Sequence, residues 1–224
     1  MKLLAFDTAF DVCSVGVDTD NGGPVLRSEE AGRAHQERLF PMIVAAMAEA
    51  GVSIVDLDRI VVTVGPGSFT GIRVGVAAAR GFALVTRAPA IGVTTLAVHA
   101  EAAAQRLPGR RIVAAIPARD AMFYFQSFER DLTPFGEPGI ASAHAIAAEV
   151  RERNAALAGP GADAVARALG GDASARIVHR DAAPDVAALV RLARRAPLPG
   201  LPPKPLYLRA PDAQSALATT MPPQ

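Results

Sequence analysis

With 224 residues, half of them hydrophobic, the chain is long enough to bury a full core as one large unit or two small ones. A formal net charge of +1, from 23 basic and 22 acidic residues, excludes a protein that holds nucleic acid by bulk charge, so any RNA role has to be shared with a partner. The single cysteine, Cys13, excludes an internal disulfide, and together with an N-terminus that runs straight into a strand-like segment it leads us to expect a cytoplasmic protein.

Lys2–Phe6 predicts a short strand ending at Asp7, and Val12–Val17 a second. Asp7-Thr8-Ala9-Phe10-Asp11 joins them. Carboxylate and hydroxyl groups at the end of a first strand can hold a magnesium ion or water against nucleotide phosphates. The same residue types make good turns, so Asp7, Thr8 and Asp11 carry both readings. Cys13 falls within the apolar pattern of the second strand and reads as a small core residue. Asn21-Gly22-Gly23-Pro24 is a turn, after which Val25–Ser28 starts a third strand of an antiparallel meander.

A helix is expected from His35, with Gly51 as its stop. Every residue from Leu39 to Ala48 is apolar. A surface helix needs only one apolar stripe, so this one requires cover on more than one face, part of it from another subunit. Pro41 lacks an N–H and is expected to start or kink the helix, leaving His35–Arg38 in an irregular first turn with His35 partly exposed. His35 has no second histidine at metal-ligand spacing and reads as making a polar contact.

Ile60–Arg80, I-V-V-T-V-G-P-G-S-F-T-G-I-R-V-G-V-A-A-A-R, is a strand, a tight loop and a helix. Gly65 and Gly67 allow close backbone approach, and Ser68 and Thr70 are helix-capping types, so the loop suits an anion or a close-packed turn. The glycine spacing misses G-x-G-x-x-G by one residue, and no G-K-[ST] follows. Gly71, Gly75, Ala79 and Ala83 recur every four residues and predict a bare face packed closely on another helix. Arg73, Arg80 and Arg87 interrupt the segment as a membrane span. Pro89–Val93 is a further strand, and a helix follows from Thr94 or Thr95 to Arg106. Strand, helix, strand, helix in this order implies parallel strands covered by helices.

Leu107-Pro-Gly-Arg-Arg111 marks a boundary, beyond which the opening plan restarts. Arg111–Ile116 and Met122–Phe128 are strands about the turn Pro117–Ala121. Ala141–Arg153 and Asp163–Leu169 are short helices, Ala175–His179 a strand and Pro184–Arg195 a last helix. Gly159-Pro-Gly161 repeats the earlier triplet and reads as a plain turn. Five prolines in Pro197–Pro205 favour an extended connector. Tyr207-Leu-Arg209 is expected to dock on the body, and the residues after Gln214 to be disordered. No H-E-x-x-H, paired cysteines or G-x-S-x-G occurs, and His99, His144 and His179 have no ligand partner at helical spacing.

The motifs D-T-A-F-D-V-C-S-V-G-V, H-Q-E-R-L-F-P-M-I, G-P-G-S-F-T-G-I-R-V-G and P-L-Y-L-R, in this order, closely resemble the bacterial TsaB family, also called YeaZ. The likeness is densest over residues 1–107 and extends more weakly to Arg209. It implies an α/β, actin-like and sugar-kinase-like fold of two ribonuclease-H-like halves, with mixed sheets and helices. The division expected is residues 1–107, a smaller degenerate half at 108–200, and a Pro-rich segment and tail at 201–224. The resemblance also implies a non-catalytic accessory subunit of the tRNA N6-adenosine(37) threonylcarbamoyltransferase complex. Its partners would be a TsaD-like catalytic subunit and a TsaE-like ATPase, with tRNA reached through the complex, no membrane, and a homodimer when alone.

By the same resemblance the helices at Leu39–Met47 and Thr70–Val85 pair with their counterparts in TsaD, which nominates Leu39, Phe40, Ile43, Met47, Gly71, Ile72, Val74, Gly75, Ala78 and Ala79 as interface. TsaD carries an H-x-x-x-H metal pair where this chain has Thr95-Leu-Ala-Val-His99, so the first histidine is missing and no metal is expected. The anion or nucleotide reading rests on Asp7, Thr8, Asp11, Gly65, Gly67, Ser68, Thr70 and Arg73. No cofactor is required of this chain, with ATP and magnesium at the level of the complex. The alternative is a stand-alone ATP-dependent phosphotransferase using Asp7 and Asp11 for magnesium. Many relatives have D-A-R at Pro117-Ala118-Arg119, and G-D-G or G-N-G at Gly159-Pro-Gly161.

Overall fold

The computed structural model describes residues 1–20, 22–32, 34–171, 176–198 and 201–208. The chain opens with strands β1 (Leu3–Asp7), β2 (Val12–Asp18) and β3 (Val25–Glu30), then helix α1 (His35–Glu49), β4 (Arg59–Thr63), α2 (Phe69–Thr86), β5 (Ala90–Val93) and α3 (Thr95–Arg106). It continues through β6 (Ile112–Pro117), β7 (Met122–Phe128), β8 (Pro134–Ser142), α4 (Ala143–Glu152), β9 (Ala156–Ala158), α5 (Ala162–Leu169) and α6 (Val186–Arg195). The sheets run β3-β2-β1-β4-β5 and β8-β7-β6-β9. In each, the first three strands are an antiparallel meander, and the strand after the next helix joins the first in parallel. The second unit repeats the first, with the counterpart of β5 reduced to a single parallel bridge between Leu157 and Ile177.

Strand β1, apolar up to its final Asp7, is buried on both faces because each face has its own cover. Leu4, Phe6, Ile60 and Val62 pack under α1 and α2, whereas Leu3, Ala5 and Val61 pack under α3 and α6. Edge strand β3 is mostly exposed and ends in charged residues, which discourages further pairing. Helix α3 joins the two units: Val98 and Ala102 face the first sheet, and Leu96, Ala100 and Ala103 face Ile112, Ala114 and Ile116 of β6.

Several expectations are corrected. Helix α1 begins at His35, with Pro41 inside it. Both Pro41 and Glu37, whose carbonyl loses its helical donor, face solvent, so water can satisfy what the proline removes. His35 is buried, with Nε2 2.6 Å from the Phe10 carbonyl oxygen. The close partner of the Gly71–Gly75–Ala79 stripe is the chain's own sheet. A Cβ at Gly71 would stand 1.9 Å from the Thr8 carbonyl oxygen, and one at Gly75 2.5 Å from Thr8 Oγ1 and 3.1 Å from Val62 Cγ2. Strands β8 and β9 were not foreseen, and of the expected strand at Ala175–His179 only the bridge at Ile177 is formed among the described residues. Gly159-Pro-Gly161 is more than a plain turn, because a Cβ at either glycine would press on the Ala115 carbonyl oxygen, as one at Gly67 would on that of Ala9.

The boundary near residue 107 remains a proposed division. Helix α6, although it lies in the segment 108–200, packs on the first sheet. Among the described residues α2 alone has the length and hydropathy of a membrane span, but its Gly71, Ile72, Gly75, Val76, Ala78 and Ala79 are buried within the fold. Leu206 N donates to the Val64 carbonyl oxygen at 2.8 Å, and Tyr207 docks on α2. Arg209 and the tail beyond Gln214 lie outside the described residues.

Candidate functional site

The β1–β2 turn and the loop between β4 and α2 meet at the C-terminal ends of β1 and β4. Asp7, at the end of β1, is fully buried; Thr63 Oγ1 and, at 3.2 Å, the Ala9 N–H both donate to its Oδ1, while Oδ2 has no protein partner. Burial pushes the carboxyl up to about 7, the two donors opposing the shift. Thr8 turns the other way, its Oγ1 donating to the Gly71 carbonyl oxygen at 2.7 Å. Asp11 is exposed, and its backbone carbonyl accepts from Ala31 and Gly32 N–H. The two aspartates the alternative reading needed on one magnesium therefore face different surroundings. Among the described residues no group of three or more His, Cys, Asp or Glu is placed to hold a metal ion.

The loop itself is latched to the turn. Ser68 N donates to the Ala9 carbonyl oxygen at 2.6 Å, and Ser68 Oγ accepts from Gly71 N at 3.2 Å as the helix cap. Gly65 takes φ 105°, which only glycine adopts freely, and its carbonyl accepts from Thr95 N. Thr95, where the resemblance marked a missing histidine, spends its hydroxyl on the Pro66 carbonyl oxygen at 2.6 Å. Phe10 wedges between the units, touching the first core and the cluster of α3 and β6, with its ring edge-on to His99 at 6.3 Å.

His99 has a partner the sequence did not reveal: His179 Nε2 lies 3.2 Å from His99 Nδ1, and both rings are buried. Burial, then the neighbouring imidazole, holds His99 down to about 3, so it is neutral at ordinary pH. Eighty positions separate the two histidines, a distance no local spacing rule reaches. Cys13 behaves as foreseen, buried and with its thiol pushed up to about 12.

The nominated interface residues divide sharply. Leu39, Ile43, Met47, Gly71, Ile72, Gly75, Ala78 and Ala79 are buried inside the chain, Val74 is half-buried and Phe40 is 49% exposed. What the two helices present outward is Phe40 with Val44 (67%) on α1, and Leu84 (85%) and Val85 (72%) on α2. Phe40 leans on half-buried Phe82 at 5.5 Å between ring centroids. Of the nominated anion residues, Ser68 and Thr70 line, with Gly32, His35, Gln36, Gly71 and Val74, a cavity of about 520 Å³, from which Asp7 and Thr8 are absent.

A repeated meander-plus-crossover unit, a helix shared between the copies and facing glycine loops define an actin-like α/β protein of two ribonuclease-H-like halves. The family model described as TsaD: tRNA N6-adenosine threonylcarbamoyltransferase matches residues 22–186. YeaZ from Pseudomonas aeruginosa is similar in structure at TM-score 0.73 and 30% identity, over 86% of this chain and 90% of that one. A second P. aeruginosa structure, described as an uncharacterized protein with similarity to peptidase YeaZ, gives TM-score 0.77 at 29% identity over 93% and 99%. The tRNA threonylcarbamoyladenosine biosynthesis protein TsaB of Escherichia coli K12 is 38% identical over 131 residues, 58% of this chain and 56% of the relative. The chain thus spans little more than half the length of that curated relative. It belongs to the TsaB (YeaZ) family, within the wider family of the TsaD model.

Proposed function

We propose that the chain is a non-catalytic subunit of a tRNA threonylcarbamoyladenosine machinery, docking a TsaD-like catalytic subunit on the outer faces of α1 and α2. The observation that carries this reading is the apolar patch of Phe40, Val44 and Val85, large side chains left in water beside a well-packed core. The closed β1–β2 turn supports the non-catalytic part, since Asp7 reaches neither solvent nor Asp11. A TsaE-like ATPase and tRNA join through the complex, and the same patch pairs two copies when the catalytic subunit is absent. The compartment is the cytoplasm.

Phe40→Asp with Val44→Asp should abolish co-elution with the TsaD-type subunit on gel filtration while leaving the melting midpoint within a few degrees, because both side chains already face water. Ile43 is unsuited to this test, being core. Continued co-elution of the double variant would place the docking surface elsewhere. Threonylcarbamoyl transfer by the purified chain alone would refute the non-catalytic reading.

A further inference from the structure

Helix α2 carries Arg73 and Arg80 seven residues apart and no acidic residue, and Arg87 follows as its C-cap. At 1.5 Å per residue, that spacing sets Arg73 and Arg80 on one face about 10 Å apart, and Arg87 follows at the helix end with φ 61°. All three residues are exposed, and among the described residues none is paired with a carboxylate: Arg73 Nε donates to Tyr207 Oη at 2.8 Å and Arg80 Nε to the Pro203 carbonyl oxygen at 2.9 Å. Several arginines elsewhere are matched to carboxylates, Arg111 and Arg153 with Glu129, Arg191 and Arg195 with Glu101, Arg194 with Asp18, while Arg59, Arg110 and Arg151 donate to carbonyl oxygens. Arg87 caps the C-terminal end of α2, where the helix dipole favours a cation. Arg73 stands near the other end, where the dipole opposes one, so helix electrostatics do not account for it.

At that end Phe69 and Tyr207 lie with ring centroids 5.4 Å apart, each 42% exposed, and the Arg73 guanidinium sits 3.7 Å from the Phe69 centroid. A row of uncompensated guanidinium groups with exposed rings at its head is the combination by which proteins hold single-stranded nucleic acid. We propose that this face of α2 binds a single strand of RNA, the three arginines taking phosphates and the Phe69–Tyr207 pair stacking on a base. The choice of RNA over an acidic peptide rests on the tRNA reading above and on the flat rings. Val74, Gly81 and Val85 lie about a quarter-turn round the helix from the arginines, while exposed Leu84 stands on their face beside Arg80. With a net charge of +1 for the whole chain, binding by this row alone is weak and strongly salt-dependent.

Fluorescence anisotropy of the full chain with a labelled single-stranded RNA of about twelve nucleotides, across a salt series, tests this. The Arg73→Gln, Arg80→Gln, Arg87→Gln triple variant should lower the log–log salt slope by about two, at roughly 0.7 per phosphate contact. Tyr207→Ala should weaken binding on the order of tenfold, and Tyr207→Phe, which keeps the ring, should not. Melting midpoints near the parent's establish that the variants fold. No binding by the parent, an unchanged slope in the triple variant, or equal losses for both Tyr207 variants would overturn the proposal. Gel filtration with the catalytic subunit separates the two readings. Loss of co-elution in the triple variant makes the row a protein contact and overturns RNA binding. Failure of the parent to co-elute refutes the subunit reading and leaves the RNA result standing.

Discussion

Asp7 shows how a residue type placed for catalysis can serve a fold instead. Its carboxyl, with one oxygen held by Thr63 and the Ala9 N–H and the other without a protein partner, prefers to carry a proton in the folded chain. A carboxyl raised from 3.8 to about 7 contributes stability that is full below pH 4 and is lost as the pH climbs through 7. Asp7→Asn keeps the accepting oxygen and removes the charge, so its urea stability should be flatter over that window and exceed the parent's at pH 8 by on the order of 1 kcal/mol. A smaller stability for Asp7→Asn at pH 8 would mean the ionised carboxylate is satisfied in the fold. His99 has the opposite sign: its depressed value costs stability as the pH falls from 6.5 toward 3, so the two groups are separable by variant and by pH range. The sequence places Asp7 at the end of the first strand, where the structure has it, but its burial and raised pKa are tertiary facts that no local pattern carries.

Among the elements, α2 was read most fully and its packing least. The four-residue recurrence of Gly71, Gly75 and Ala79 fixes a bare face, and periodicity cannot say whether a sheet of the same chain or a foreign helix lies against it. The glycines can be sorted by experiment. Gly71→Ala would drive a methyl into the Thr8 carbonyl and should cost 3 kcal/mol or more, on the order of a severe overpacking. Gly81, with nothing within 4 Å of its would-be Cβ, should gain about 0.5–1 kcal/mol as alanine from helix propensity alone. Denaturant melts of the two variants, with opposite displacements, check both. Strand β8 escaped notice because Pro134, Gly136, Pro138 and Gly139 argue against a strand, yet as the edge of its sheet it tolerates them. Three-residue β9, Ala-Leu-Ala, has no strand signature and exists through its pairing with β6 and the bridge from Leu157 to Ile177.

At the scale of the whole molecule, the doubled plan was legible and its closure was not. Helix α6 follows the second sheet in the chain and returns to the first, where Arg191 Nε meets the fully buried Glu101 of α3 at 2.9 Å and Arg195 reaches its other oxygen. Arg194 pairs with buried Asp18 of β2, and Arg59 Nη1 donates to the carbonyl oxygens of Ala193 and Ala196 at the end of α6. A helix rich in arginine reads from sequence as a solvated face; here the stems cross toward two buried acids that lie 90 and 176 positions back. The clamp is asymmetric, since Glu101 is fully buried whereas Arg191 and Arg195 are partly in water. Removing the arginines strands a buried carboxylate, while neutralising the carboxylate releases guanidinium groups that solvent can receive. Arg191→Ala with Arg195→Ala should therefore cost about 3–5 kcal/mol, and Glu101→Gln only about 1–2. Equal losses in urea melts would mean that the carboxylate is reached by water once the arginines are gone, and that α6 is held by its apolar face of Ala188, Leu189 and Ala193 alone.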